Sequence, residues 1–115
     1  KKINFKKKVL STDEGGTLLT LKELTAVRLI KNNFYDQIKN AYMNNDSIEK
    51  LTKLLSRGRA KKGMFEGDLD EGELEIGQVS SMINNIMSVE EIIDEIVLDF
   101  ESRKKIVNRI NFKSL

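Results

Sequence analysis

The sequence has no cysteine and no histidine. Without cysteine there are no disulfides and no thiolate metal sites, which fits an intracellular, cytoplasmic protein. Without histidine, no imidazole general base, metal ligand or catalytic triad can come from the chain itself. No apolar run approaches the roughly 18 residues of a membrane span, so no membrane association is expected. An excess of one charge is also lacking. The formal net charge is +2, too small by itself to imply nucleic acid. What remains is 115 residues, 33% charged and 39% hydrophobic, enough for one globular domain with a modest core.

Glycine is sparse too, and its distribution is uneven. Of seven glycines, four fall in one stretch, at Gly63, Gly67, Gly72 and Gly77. Between them run Glu66, Asp68, Asp70, Glu71, Glu73 and Glu75, with no lysine or arginine interposed. Clustered glycines permit positive φ and close backbone approach. The stretch 63–81 therefore reads as a shaped acidic loop that leads into a helix beginning near Gly77-Gln78. Asp68, Asp70, Gly72 and Glu75 do not reproduce the spacing of a calcium-binding EF-hand loop, and no metal is expected.

Upstream, the chain opens on Lys1 with no methionine and no signal-peptide pattern. Phe5 and Val9 stand one helical turn apart among lysines, which predicts an amphipathic helix with a solvated basic face rather than a nucleic-acid arm. Turn chemistry follows from Ser11 to Gly16. Thr17 to Leu21 is the one convincing strand, and a lone strand needs a partner, either nearby or outside the chain. Arg28 has the chemistry to hold a carboxylate or phosphate bidentately, although an ordinary, partly buried salt bridge is the simpler expectation.

Two helices come next, with Phe34, Ile38, Ala41 and Tyr42 marking the buried face of the first. Ile48, Leu51, Leu54 and Leu55 mark that of the second. Asn32-Asn33 caps the first, Asp46 with Glu49 the second, and Gly58 ends it. Arg57, Arg59, Lys61 and Lys62 then precede the acidic loop as its charge complement. The last helix starts at a Ser88/Glu91 capping box and carries Ile92, Ile93, Ile96, Val97, Phe100 and Val107 on one face. At 1.5 Å per residue it runs roughly 30 Å, more apolar surface than the short helices upstream can cover.

The residues Arg59 to Leu69, the run Glu71-Gly72-Glu73-Leu74-Glu75 and the signature Ile76-Gly77-Gln78-Val79-Ser80 resemble the C-terminal part of the nitronate monooxygenase family. These flavoproteins, also called 2-nitropropane dioxygenase-like, include flavin-dependent enoyl-acyl-carrier-protein reductases. The stretch Leu19 to Asn32 is similar to the point where the family's smaller region begins.

The resemblance implies an FMN-binding (β/α)8 barrel enzyme, of which this chain is a C-terminal segment: mainly α, with at most one or two short strands. Residues 1–16 would flank the barrel, 17–62 form the smaller helical region, 63–81 the glycine-rich loop, and 82–115 a helix packed on the barrel. The family's catalytic histidine and flavin-phosphate loops lie upstream, so the chain alone is expected to be inactive. The activity implied is oxidative denitrification of alkyl nitronates with O2, the alternatives being an enoyl-acyl-carrier-protein reductase or a non-enzymatic helical module. Expected partners are a small-molecule substrate and the barrel portion, with no nucleic acid.

Within the chain, Gly77 and Gln78 are the candidate cofactor contacts, and Val79 and Ser80 the candidate substrate-cavity residues. Backbone N–H groups at a helix start suit an anion or a polarised oxygen. The structural alternative is that Gly77 permits a sharp turn and Gln78 caps the helix.

Overall fold

One four-residue strand, Val27–Ile30 (β2), divides the first part of the molecule into two cores. It pairs antiparallel with Thr17–Thr20 (β1), Thr17 opposite Ile30 and Thr20 opposite Val27. The partner that β1 requires therefore lies just downstream. Successive strand side chains point to opposite faces. Leu29 accordingly joins one buried cluster with Leu21, Phe34, Ile38, Ala41 and Leu51. Ile30 joins another, with Val9 and Leu74.

The computed structural model describes residues 2–112, and the chain divides into two units, Lys1–Asn85 and Ile86–Leu115. Helix α1, Lys2–Leu10, opens the first unit and buries Val9, with Phe5 half-buried beside the second core. Helix α2, Asn33–Met43, supplies most of the first core and ends at Asn44-Asn45, where Asn45 takes the left-handed conformation (φ 52°).

Helix α3, Ile48–Leu55, starts one residue later than the sequence suggests. Its cap is Ser47, in extended conformation, whose hydroxyl accepts from Lys50 N–H. The Asp46 N–H is already bonded to the Ala41 carbonyl, and the Asp46 carboxylate instead pairs with Lys50 Nζ at 2.8 Å. The helix stops at Leu55, because Ser56 turns to positive φ before Gly58 is reached. Leu51 is buried and Leu54 and Leu55 partly so, but Ile48 is exposed, so the stripe is narrower than its spacing implies.

The acidic loop is bound to the basic cluster before it. A π-helical turn spans Lys61–Phe65, and ion pairs join Lys61 to Glu66, Lys62 to Asp68 and Arg59 to Glu71. Two of the loop's glycines pack on each other. A Cβ at Gly72 would lie 2.2 Å from the Gly63 Cα, and one at Gly63 would meet Leu74 at 2.7 Å. Their closeness thus serves backbone-on-backbone packing inside the loop.

In the second unit, helix α4 spans Val89–Val107 and begins with the full capping box between Ser88 and Glu91. Acidic residues in its first turn and lysines in its last complement the helix dipole. None of its residues is buried, the apolar Ile92, Ile93, Ile96, Val97 and Phe100 included. The chain is mainly helical with a single two-stranded sheet among the described residues.

The glycine packing makes a testable contrast. Gly72→Ala should destabilise the first unit by about 1–3 kcal/mol or more, through overpacking against backbone that cannot move aside. Gly77→Ala should stay within about 0.5 kcal/mol, since a Cβ there meets nothing within 4 Å. Urea denaturation followed by circular dichroism separates the two, and equal stabilities would overturn the packing argument.

Candidate functional site

The site is built on the free edge of β2. The N–H of Ile30 donates to the Leu74 carbonyl at 3.0 Å, and the N–H of Ile76 donates to the Arg28 carbonyl at 3.1 Å. Leu29 and Glu75 form the bridge between these bonds. Residues 74–76 are thus held against the edge of β2 by an isolated bridge, which delivers Gly77 beside the Arg28 end of the hairpin. A single 3-10 turn, Gln78–Met82, follows, its first bond running from Ser80 N–H to the Gly77 carbonyl.

This turn forms one wall of a cavity of about 540 Å³. Gln78 and Ser80 contribute from the turn, Thr17 and Arg28 from the hairpin, and Asp13 and Glu14 from the loop after α1. On the hairpin Arg28 stands opposite Leu19, and Thr17 lies two residues back on the same face. The guanidinium Nη1 reaches across to donate to the Thr17 carbonyl at 3.3 Å and hydroxyl at 3.1 Å. Among the described residues Arg28 makes no ion pair, contrary to the salt bridge expected from the sequence. Its partners are neutral oxygens.

Ser80 is 2% exposed, and its Oγ has no hydrogen-bond partner among the described residues. Leaving a buried hydroxyl unpaired costs about 1–3 kcal/mol, so such a group needs a reason. Gln78 is exposed, and the cap position of the turn falls on Gly77, so Gln78 is the first residue of the turn rather than its cap. Gly77 and Val79 are exposed and do not line the cavity. Gly77 also has ordinary extended backbone, φ −79° and ψ 159°, so no sharp turn demands glycine there, and no described residue approaches it closely. The helix expected to begin here is one short turn, too brief to build a dipole.

Two features escaped the sequence reading. The first is that Arg28 and Thr17 share a cavity with Gln78 and Ser80. Only the hairpin register brings them together. The second is Glu73, buried to 6% exposure beside Glu75 and Arg59. Burial pushes its carboxyl up to about 7, helped by the Glu75 carboxylate and opposed by Arg59. Among the described residues, no group of three or more acidic side chains is placed to hold a metal ion, and no helix is long and apolar enough to cross a membrane.

No protein-family model matches the sequence, and neither does any protein in the curated set. Solved structures do match. The chain is similar in fold to FabK from Thermotoga maritima. That likeness has a TM-score of 0.78 at 24% identity and covers 94% of this chain and 34% of FabK. The M276A mutant of the same protein gives a TM-score of 0.69 at 23% identity, over 93% of this chain and 30% of the other. The chain therefore spans about a third of the length of the structures that it resembles.

The position of Glu73 generates a pH prediction. Its folded-state pKa, about 7, lies above the ordinary 4.5. The stability it confers is therefore full below 4.5 and is lost as pH rises through 7. Relative to Glu73→Gln, the wild type should lose up to about 3 kcal/mol between pH 4.5 and pH 8. Parallel denaturation series of the two proteins would check this. A difference independent of pH would overturn it.

Proposed function

We propose that this chain is part of a flavin-dependent oxidoreductase of the 2-nitropropane dioxygenase-like kind, and a relative of its enoyl-acyl-carrier-protein reductases. The observation that carries the reading is the FabK-like fold over 94% of the chain, joined to the Gly77-Gln78-Val79-Ser80 signature on a turn beside a cavity. The sequence resemblance alone placed nitronate monooxygenase first. The fold likeness to FabK favours the reductase, so nitronate oxidation becomes the second reading.

The residues present fit one part of FMN. Gln78 brings an uncharged, exposed amide, and Ser80 a hydroxyl with no partner among the described residues, groups whose chemistry matches the polar edge of a flavin ring or a substrate carbonyl. Neither is a phosphate cradle. We assign the phosphate loops and the catalytic histidine to a barrel portion outside these residues, and the apolar side chains of α4 to its surface. In this reading Gly77 and Gln78 border the flavin, while Val79 and Ser80 border a small-molecule substrate. FMN supplies the electron transfer when bound. The chain's own part is to shape the cavity wall and orient the substrate.

Protein from the complete reading frame should show the absorbance bands of bound flavin and, with a reduced nicotinamide supplied as hydride donor, reduce an enoyl thioester faster than it consumes O2 with an alkyl nitronate. The reverse preference would restore the monooxygenase reading, and a colourless protein would remove both. In that enzyme Gln78→Ala should lower kcat/KM by the worth of one polar contact, about 1–3 kcal/mol, with the fold intact. Unchanged steady-state kinetics would take Gln78 out of the site.

A further inference from the structure

Arg59 and Glu73 are tethered through their backbones and yet their side chains are not paired. The Glu73 N–H donates to the Arg59 carbonyl at 3.1 Å. Arg59 directs Nη1 to the Glu71 carbonyl at 2.9 Å and, at 3.4 Å, to the Glu71 carboxylate. Its Nε–H is buried and has no hydrogen-bond partner among the described residues. A buried donor without an acceptor is uncommon, and this guanidinium is held in place against the Phe34 ring.

Glu73 is the buried carboxyl at the other end of that tether. It lies against Glu75, its neighbour on the same face of the extended segment, and shares a hydrogen bond with it. Two carboxylates in such contact repel each other strongly when both are ionised, so the bond holds a proton. Among the described residues, Glu75 and Arg59 are the charged groups that act on Glu73. Glu75 raises its proton affinity and Arg59 lowers it. Burial disfavours a charged Glu73 that stays where it is without a partner.

We propose that Glu73 is a proton-operated latch: protonated it bonds Glu75, and ionised it swings to the Nε edge of Arg59. In the second state Arg59 bridges two carboxylates, Glu71 of the acidic loop on Nη1 and Glu73 on the edge that is otherwise unused. Two parallel N–H bonds match the two oxygens of a carboxylate. The loop is then tied through Arg59 to the start of the 74–76 segment, and so to the edge of β2 that positions the 78–82 turn. Pairing stabilises the ionised form. The transition therefore falls between the ordinary 4.5 and the value of about 7 that Glu73 has while it faces Glu75.

The test is an NMR titration of the complete protein from below pH 4.5 to above pH 7, following the Arg59 Nε–H and the Glu73 carboxyl carbon. Contact with the Phe34 ring assigns the Nε–H signal. Both signals should move with one shared midpoint, the Nε–H going downfield as it gains a carboxylate. Glu73→Gln keeps the shape with a permanently neutral amide and should leave the Nε–H flat across the range. Glu75→Gln removes the repelling charge and should move the midpoint down by about half a unit or more.

A carboxyl that ionises and turns to solvent would titrate without moving the Nε–H, and that result would overturn the latch. An Nε–H shift that persists in Glu73→Gln, or a midpoint unmoved in Glu75→Gln, would overturn it as well. The titration needs neither flavin nor substrate, so its outcome is independent of the oxidoreductase reading.

Discussion

One asparagine side chain ties the acidic loop to the helical core. The Asn32 Oδ1 accepts from the Tyr35 N–H at 2.9 Å and so caps α2. Its Nδ2 donates to the Leu69 carbonyl at 3.1 Å and the Gly72 carbonyl at 2.8 Å. The donors at the start of α2 recruit the loop further. The Phe34 N–H bonds the Asp70 carbonyl at 3.1 Å, and the Glu71 carboxylate accepts from the Gln37 and Asn33 amides. A negative loop at a helix start is also favoured by the dipole. The Gln37 bond first, then those from Asn33 and Arg59, hold the Glu71 carboxyl below the ordinary carboxylate range.

Arg59 closes the arrangement from the other side. It donates to the Glu71 carbonyl at 2.9 Å and lies 4.4 Å from the centre of the buried Phe34 ring. Its main-chain carbonyl accepts from the Glu73 N–H at 3.1 Å. The segment after the loop is therefore pinned at Gly72 and Glu73 before it reaches β2. From that point Leu74 fills the second core while Glu73 and Glu75 share the opposite face, as alternation in an extended segment requires. Two carboxyls on one face, one of them buried, explain why a proton stays on Glu73 to unusually high pH.

Much of this could be read from the residues. The Asn32 cap, the α2 stripe and the Ser88/Glu91 box are local, set by spacings of three or four residues, and the basic-to-acidic pairing joins stretches adjacent in sequence, over five to twelve residues. What was not legible depends on partners distant in sequence. Asp46 looked like the cap of α3, but its carboxylate pairs with Lys50 Nζ and the Ser47 hydroxyl accepts from the first turn instead. The clustered glycines announced close backbone approach, but not that Gly63 and Gly72 approach each other. The second strand went unmarked because both faces of residues 27–30 are covered, one by each core. A strand covered on both sides shows no alternation to detect.

The same two-sided burial explains how a hairpin of four-residue strands can hold a site. The N–H of Ile30 and the carbonyl of Arg28 face the free edge of β2, and both are bonded to residues 74–76. Leu29 and Ile30 anchor the strand in separate cores, so neither face can rotate without opening one of them. Arg28, between Val27 and Leu29, inherits that rigidity at its backbone, and Thr17 extends it to the guanidinium. Ser80 is fixed from the other direction, through the 74–76 pairing and the bond from its own N–H to Gly77. Arg28 and Ser80, which both line the cavity, thus come from one sheet edge and the turn that edge positions. Their separation is set by main-chain pairing, while Asp13 and Glu14 enter from an exposed loop.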